Sequence, residues 1–376
     1  MQDAKSLTIR HILEALHAWA PPSLQESYDN SGLLVGQINA QVSTVLISLD
    51  CTEAVVEEAA RVGAQLIVSH HPIIFKGLKR FTGSDHVQRT VEAAIRHGIA
   101  LIAVHTNLDN VADGVNRGLA ARLGLDGDSL RILRPLSSRL KQVVVYTPAP
   151  AVDQVADAMY AAGAGRLGHY DECGFHTRGE GNFRPLNGAQ PAIGRVGQRE
   201  RVQEVRTEVI VEDWQVSAVL AAARAAHPYE EVAHAVYSME QAHAGIGAGM
   251  VGELPEPLEE VEFLRRVKEA LGCGVIKHTD WTGRPVRRVA LCGGSGSFLL
   301  GDAIAAGADA FVTADFKYHE FFGAEGRLLI ADVGHYESEW HVTDLVYTHL
   351  KEQFTGKFPN FALLISQENP NPVHTF

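Results

Sequence analysis

From residue 44 the chain alternates short, almost unbroken apolar runs with stretches whose apolar residues recur every three or four positions. TVLISLD (44–50), AQLIVSH (64–70) and IALIAVH (99–105) have the length and composition of buried strands. Between them, TEAVVEEAARVG and DHVQRTVEAAIRHG (85–98) have helical spacing, and DGVNRGLAARLG (113–124) adds another helix. The C-terminal part repeats the alternation. VRRVALC (286–292) predicts a strand, followed by the turn GGSGS, the helix FLLGDAIAAG and the short strand DAFVTAD. A helix through KYHEFFGAEG, the strand RLLIADVG (327–334), one long helix HYESEWHVTDLVYTHLKEQF and a final run NFALLIS complete it. Strands apolar along their whole length belong to largely parallel sheets covered on both faces. The two stretches read as one α/β unit interrupted in the middle.

The interruption has another texture. KQVVVYTP (141–148) and VRTEVIVED predict strands, AVDQVADAMYAAGAG and WQVSAVLAAARAAHP helices, and VAHAVYSM a further strand. A Gly/Pro-rich stretch, GEGNFRPLNGAQPAIGRVGQ, lies between the two halves. Such an order suggests a small ferredoxin-like α+β module. The expected domains are therefore 1–127 and 246–376, the two parts of a split α/β domain, with 128–245 inserted.

Composition narrows the class. With 376 residues, 46% of them apolar and 21% charged, the chain suits a globular protein of two or three domains. No run approaches the roughly 20 apolar residues of a membrane helix. The N-terminal MQDAKSLTIRHILEALHAWAPP reads as an amphipathic helix rather than a signal peptide, so the cytoplasm is the expected location. The net charge of −12 repels phosphate backbones, making nucleic acid a poor partner, and attracts divalent cations. Cys51, Cys173, Cys273 and Cys292 form no CxxC, which excludes thiolate zinc ribbons and thioredoxin-type motifs.

Histidine carries the chemistry. His70 and His71 fall at the carboxyl end of a predicted strand, where open α/β sheets bind ligands. Alone, the pair reads as structural or incidental. The next strand, however, ends in His105-Thr-Asn-Leu-Asp109-Asn110, and Asp332-Val-Gly-His335-Tyr-Glu-Ser-Glu339 follows another. Asp109 by itself reads as a cap or Asx turn, and Glu339 as a helix-terminus acid. Neither reading accounts for three His/carboxylate clusters, each after a strand. His335 and Glu339 share a helix face at i, i+4, whereas Glu337 lies about 200° round from His335 and is excluded.

His70, His71, Asp109, His335 and Glu339 exceed what a single zinc ion takes from protein. They suit two divalent ions about 3.5–4 Å apart. An imidazole/carboxylate set favours Zn, Mn, Fe or Co without choosing among them. His105 and Asp315 are candidates to orient the ligands, and His105 or His319 to move protons catalytically. Gly247-Ala-Gly249-Met-Val-Gly252 opens no helix and is not a dinucleotide fingerprint. Gly293-Gly294-Ser295-Gly296-Ser297 fits either a tight structural turn or a contact to an anion.

Taken together, SYDNSGLLVG (27–36), SHHPIIFKGLK (69–79), HTNLDN (105–110), GGSG (293–296), TADFKYHE (313–320) and DVGHYESE (332–339) resemble the dinuclear-metal-centre hexameric family, whose members include GTP cyclohydrolase type 2 homologues and relatives of the Ngg-interacting factor. The resemblance implies metal ligands at the same five residues. AMYAAGAGRLGHYDECGF, GEGNFRPLNGAQPAIG and AAHPYEEVAHAVYSM resemble the PII/CutA-like domain inserted in longer members. It further implies a toroidal homo-hexamer, a trimer of dimers. The expected function is metal-dependent hydrolysis of a nucleotide, with ring opening and formate release. The alternatives are a non-enzymatic regulator whose inserted domain senses a small-molecule effector, and a metal storage or delivery protein.

Overall fold

A computed structural model describes residues 6–358, 360–368 and 371–375. The chain divides into two compact units, Met1–Pro135 with Ala244–Phe376, and Leu136–His243. Residues 128–135 thus cluster with the first unit.

Two sheets build the first unit. One has the order Gly32–Val35, Ala100–Ala103, Leu66–Ser69, Thr44–Ser48, Ala362–Ile365. Its neighbours are parallel except at Gly32–Val35, which runs antiparallel to Ala100–Ala103. Leu66–Ser69 and Ala100–Ala103 are buried at every position, as their almost wholly apolar sequence requires. The helices between these strands have clear signals. Thr52 caps Glu53–Val62 by accepting from the Val55 amide, and Gly63 ends it in the left-handed conformation at φ 72°. Asp85 and Gly98 frame His86–His97 in the same way. Val55, Val56 and Ala59 pack with Ala93 and Ala94 over Leu46, Ile67 and Leu101.

The other sheet has the order Lys277–His278, Leu329–Asp332, Ala310–Ala314, Val286–Ser295, Ala242–Leu258, Arg131–Ser137. Its three central strands are parallel, while Ala242–Leu258 and Lys277–His278 pair antiparallel with their neighbours. This sheet is mixed, not mainly parallel as the apolar runs suggested. The added strands are glycine-rich or only two residues long, so neither carries the apolar run that marks a parallel strand. Two helical expectations also change. Tyr318–Ala324 is a 3-10 helix. The long helix from residue 335 is broken into His335–Glu339 and Val342–Phe354. At the break, His341 is buried and its Nε2–H donates to the Val115 carbonyl at 2.9 Å, a tie made across the chain rather than along it.

In the second unit, the strands Gly174–Phe183, Glu200–Glu212, Leu140–Pro148 and His234–Ser238 form an antiparallel sheet in that order. Helices Val152–Ala161 and Val216–Ala226 cover it around Val143, Val145, Met159, Val209 and Val219. This β-α-β-β-α-β order and pairing are ferredoxin-like.

Candidate metal centre

Parallel strands of both sheets in the first unit lead to one cavity of about 920 Å³, lined by Asp50, His71, His105, Asp109, His335 and Glu339. Sheet order explains the gathering on the first side. Leu66–Ser69 lies between Thr44–Ser48 and Ala100–Ala103, so the residues just past all three ends, Asp50, His70–His71 and His105, become neighbours. On the other side, Ala310–Ala314 and Leu329–Asp332 are paired in parallel and deliver Asp315 and His335.

Each imidazole is fixed by its Nδ1. His70 Nδ1–H donates to the Val104 carbonyl at 2.7 Å, and His71 Nδ1–H to Asp50 Oδ1 at 2.8 Å. His335 Nδ1–H donates to Asp315 Oδ2 at 2.7 Å, and His105 Nδ1–H to Asp29 Oδ1 at 2.8 Å. Fixing one nitrogen sets the tautomer and turns the other inward as a lone-pair donor, as metal-binding histidines require.

The inward atoms converge. Glu339 Oε2 lies 3.0 Å from both His71 Nε2 and His335 Nε2, which are 3.4 Å from each other. The same oxygen is 4.0 Å from His70 Nε2, which is 3.7 Å from Asp109 Oδ1. The side chains thus sort into two triads, His71–His335–Glu339 and His70–Asp109–Glu339, sharing one carboxylate; His105 groups with His70 and His71. Spacings of this order are those of donors around a cation with bonds of about 2.0–2.2 Å. The second triad provides a sharper test. His70 Nε2 and Asp109 Oδ1 are buried without any hydrogen-bond partner. Orphaned buried polar atoms are costly and rare, and a shared cation would satisfy both. The residues fit a divalent metal ion.

Electrostatics differ across the centre. Burial lowers the pKa of His71 and His335, but hydrogen bonds to Asp50, Asp315 and Glu339 outweigh it and push them up to about 9 and about 11. Burial alone dominates at His70, which is held well below the ordinary imidazole value. Burial and the neighbouring Glu339 raise Asp109 well above the usual carboxylate range. For Glu339, burial acts upward, yet bonds from His335 and His71 hold it well below its ordinary value. Asp29 is likewise held low, because bonds from His105 and Thr106 overcome its burial.

Backbone geometry serves the same end. Asp315 sits at φ 60°, a left-handed conformation tolerated by Asp but costly for most residues, and its carboxylate orients His335. At Gly294, φ is 61° and a Cβ would stand 2.3 Å from Glu339 Oε1, so only glycine lets that carboxylate approach. The Gly293 and Gly294 amides donate to Asn116 Oδ1 and Ser338 Oγ, both at 2.9 Å. Those two amides are thus committed inside the protein, and Gly293–Ser295 continues the strand Val286–Ser295.

The structure brings His70, His71, Asp109, His335 and Glu339 together with His105, and places Asp315 behind His335. His319 stands apart: it is exposed, stacks near Tyr318 and Phe322, and does not line the cavity. Its proposed proton-transfer role is set aside, because the 3-10 turn carries it away from the centre. Sequence reasoning missed Asp50 and Asp29. Asp50 ends the run TVLISLD, so its strand-end position was a usable signal; Asp29 lies in the motif SYDNSGLLVG, where no residue had been singled out.

Comparison with known proteins agrees along the whole chain. A GTP cyclohydrolase 1 type 2 homolog of Halalkalibacterium halodurans is 38% identical over 326 residues, 86% of this chain and 87% of that protein. The homolog of the same name from Bacillus subtilis is 35% identical over 371 residues, covering 98% and 99%. A crystal structure of a Bacillus cereus protein related to NIF3 superposes with a TM-score of 0.86 at 35% identity, covering 99% of this chain and 100% of that one. The family model described as Duf34/NIF3 (NGG1p interacting factor 3) matches residues 7–372, and the chain belongs to that family.

Proposed function

We propose that the protein is a hydrolase that uses two divalent ions to open the ring of a nucleotide base, in the manner the name GTP cyclohydrolase type 2 homologue implies. One observation carries the reading: the Glu339 carboxylate is common to two donor triads, so two ions would sit side by side at the floor of a cavity of nucleotide size. His71, His335 and Glu339 would hold one ion; His70, Asp109 and Glu339 the other. When bound, such ions supply Lewis acidity and make water acidic enough to react near neutral pH.

The chain's own residues do the rest. Asp29 accepts from His105 Nδ1 and fixes its tautomer, leaving Nε2 to take a proton from water and return it to the opening ring. Phe75 packs edge-on against His105 at 5.6 Å between ring centres, limiting its rotation. In the proposed reaction one water adds at purine C8 and the ring C–N bond breaks to a formamide. A second water then releases formate. The test is formate release from GTP by metal-loaded wild type and His71→Ala. Loss in the variant supports the reading; equal turnover by both, or none by wild type, removes it.

A further inference from the structure

The cavity above the metal centre is acidic, with Glu26, Asp50, Asp85, Asp109 and Glu339 in its walls. Ions held at the floor would offset the ligand carboxylates, but Glu26 and Asp85 keep the wall above them acidic in a chain of net charge −12. Lys76 places a positive charge in that wall. It is the one Lys or Arg lining the cavity among the described residues. It is exposed, and it has no carboxylate within ion-pair distance among them, unlike Arg89, Arg96, Arg122 and Arg134, each of which is paired. The loop carrying it is anchored to the centre by its neighbour Phe75, through the edge-on contact with His105. Tyr28, Phe75 and Phe298 are half to two-thirds exposed and give the cavity aromatic faces against which a planar base can stack.

We infer that Lys76 is the specificity-determining residue for the anionic tail of the substrate, so that the site takes a phosphorylated nucleoside in preference to the bare nucleoside. The inference rests on the nucleotide reading above and names what selects among nucleotides. An unpaired ammonium on a flexible stem binds phosphate as a point charge, without requiring a preformed bidentate site. Engaging the tail at the wall leaves the base free to descend past the aromatic rings to the floor.

The test is binding of GTP, guanosine and tripolyphosphate to metal-loaded full-length protein, wild type against Lys76→Ala and Lys76→Arg, with metal content measured in each. For Lys76→Ala we expect GTP and tripolyphosphate to weaken by about tenfold or more, guanosine to stay within about twofold, and Lys76→Arg to restore most of the loss. Unchanged GTP affinity in Lys76→Ala, an equal loss for guanosine, or no binding of GTP to wild type would overturn it. The two readings fail separately. GTP bound through Lys76 without formate release would remove only the ring-opening chemistry. GTP opened by Lys76→Ala at an unchanged KM would remove only the role of Lys76.

Discussion

The two ends of the candidate metal centre are built on different principles. At one end, His71 and His335 are each backed by a carboxylate, Asp50 and Asp315, and face Glu339 at hydrogen-bonding distance. At the other, His70 is backed by a main-chain carbonyl and faces Asp109 across 3.7 Å with neither inward atom satisfied. The first end is ion-paired, with both imidazoles raised; at the second, burial disfavours charge, lowering His70 and raising Asp109. The contrast teaches that one site can pre-form one cation position with charge and the other with burial, and that the two proposed ions should differ in sensitivity to the residues behind their ligands.

The largest effect tests what joins the ends. Glu339→Ala removes the donor common to both triads, so the two ions proposed per subunit, measured by elemental analysis, should fall to near zero. Asp109→Ala should cost one ion and leave the other. A Glu339 variant that keeps both ions would break the shared-carboxylate picture.

Next come the residues behind the ligands. Asp50→Asn and Asp315→Asn should each weaken the ion at the His71–His335 end by about ten- to a hundredfold, the usual cost of losing such a partner. The His70 end should hold its ion in both variants, since the Val104 carbonyl belongs to the backbone and survives these substitutions. Titration with a metal indicator resolves the two affinities; equal weakening at both ends would contradict the asymmetry.

The smallest effect concerns protons. With their pKa values raised to about 9 and about 11, His71 and His335 are protonated at pH 7 in chelator-treated protein, and an incoming ion must displace those protons. Calorimetry in buffers of different ionisation enthalpy should show proton release on metal addition at pH 7, diminishing as pH rises through 9. His70 is neutral throughout and contributes none. The sign for stability follows from linkage. Groups whose folded pKa is raised stabilise fully below the unfolded value near 6.5 and lose that contribution as pH rises through the folded one. The melting temperature of chelator-treated protein should therefore decline from pH 7 to 10. A flat profile would show that these pairs add nothing to the fold.

Much of this was legible in the sequence. Almost unbroken apolar runs at 44–50, 64–70 and 99–105 marked buried strands because a strand covered on both faces has few polar positions to spare. Thr52, Asp85, Gly63 and Gly98 marked helix ends through their own backbone preferences. The ligands stood out because each His/carboxylate group directly followed such a run. What failed to show did so for a reason. The strand Gly32–Val35 is an edge of four residues with one buried position, too short for periodicity to register. The break at His341 depends on a partner, Val115, more than 200 residues away. His319 looked eligible because composition does not say which way a 3-10 turn faces.

Local preference therefore determined which segments become strands and helices, and which strand ends carry imidazoles and carboxylates, since those outcomes follow from each residue's neighbours in the chain. Tertiary structure alone decided that Leu66–Ser69 lies between Thr44–Ser48 and Ala100–Ala103, that His71 meets Glu339, 268 positions away, and that Asp50 and Asp29 stand behind the ligands. Such pairings come from packing two sheets' worth of apolar surface at once, a choice made by the whole core and recorded in no single stretch of sequence.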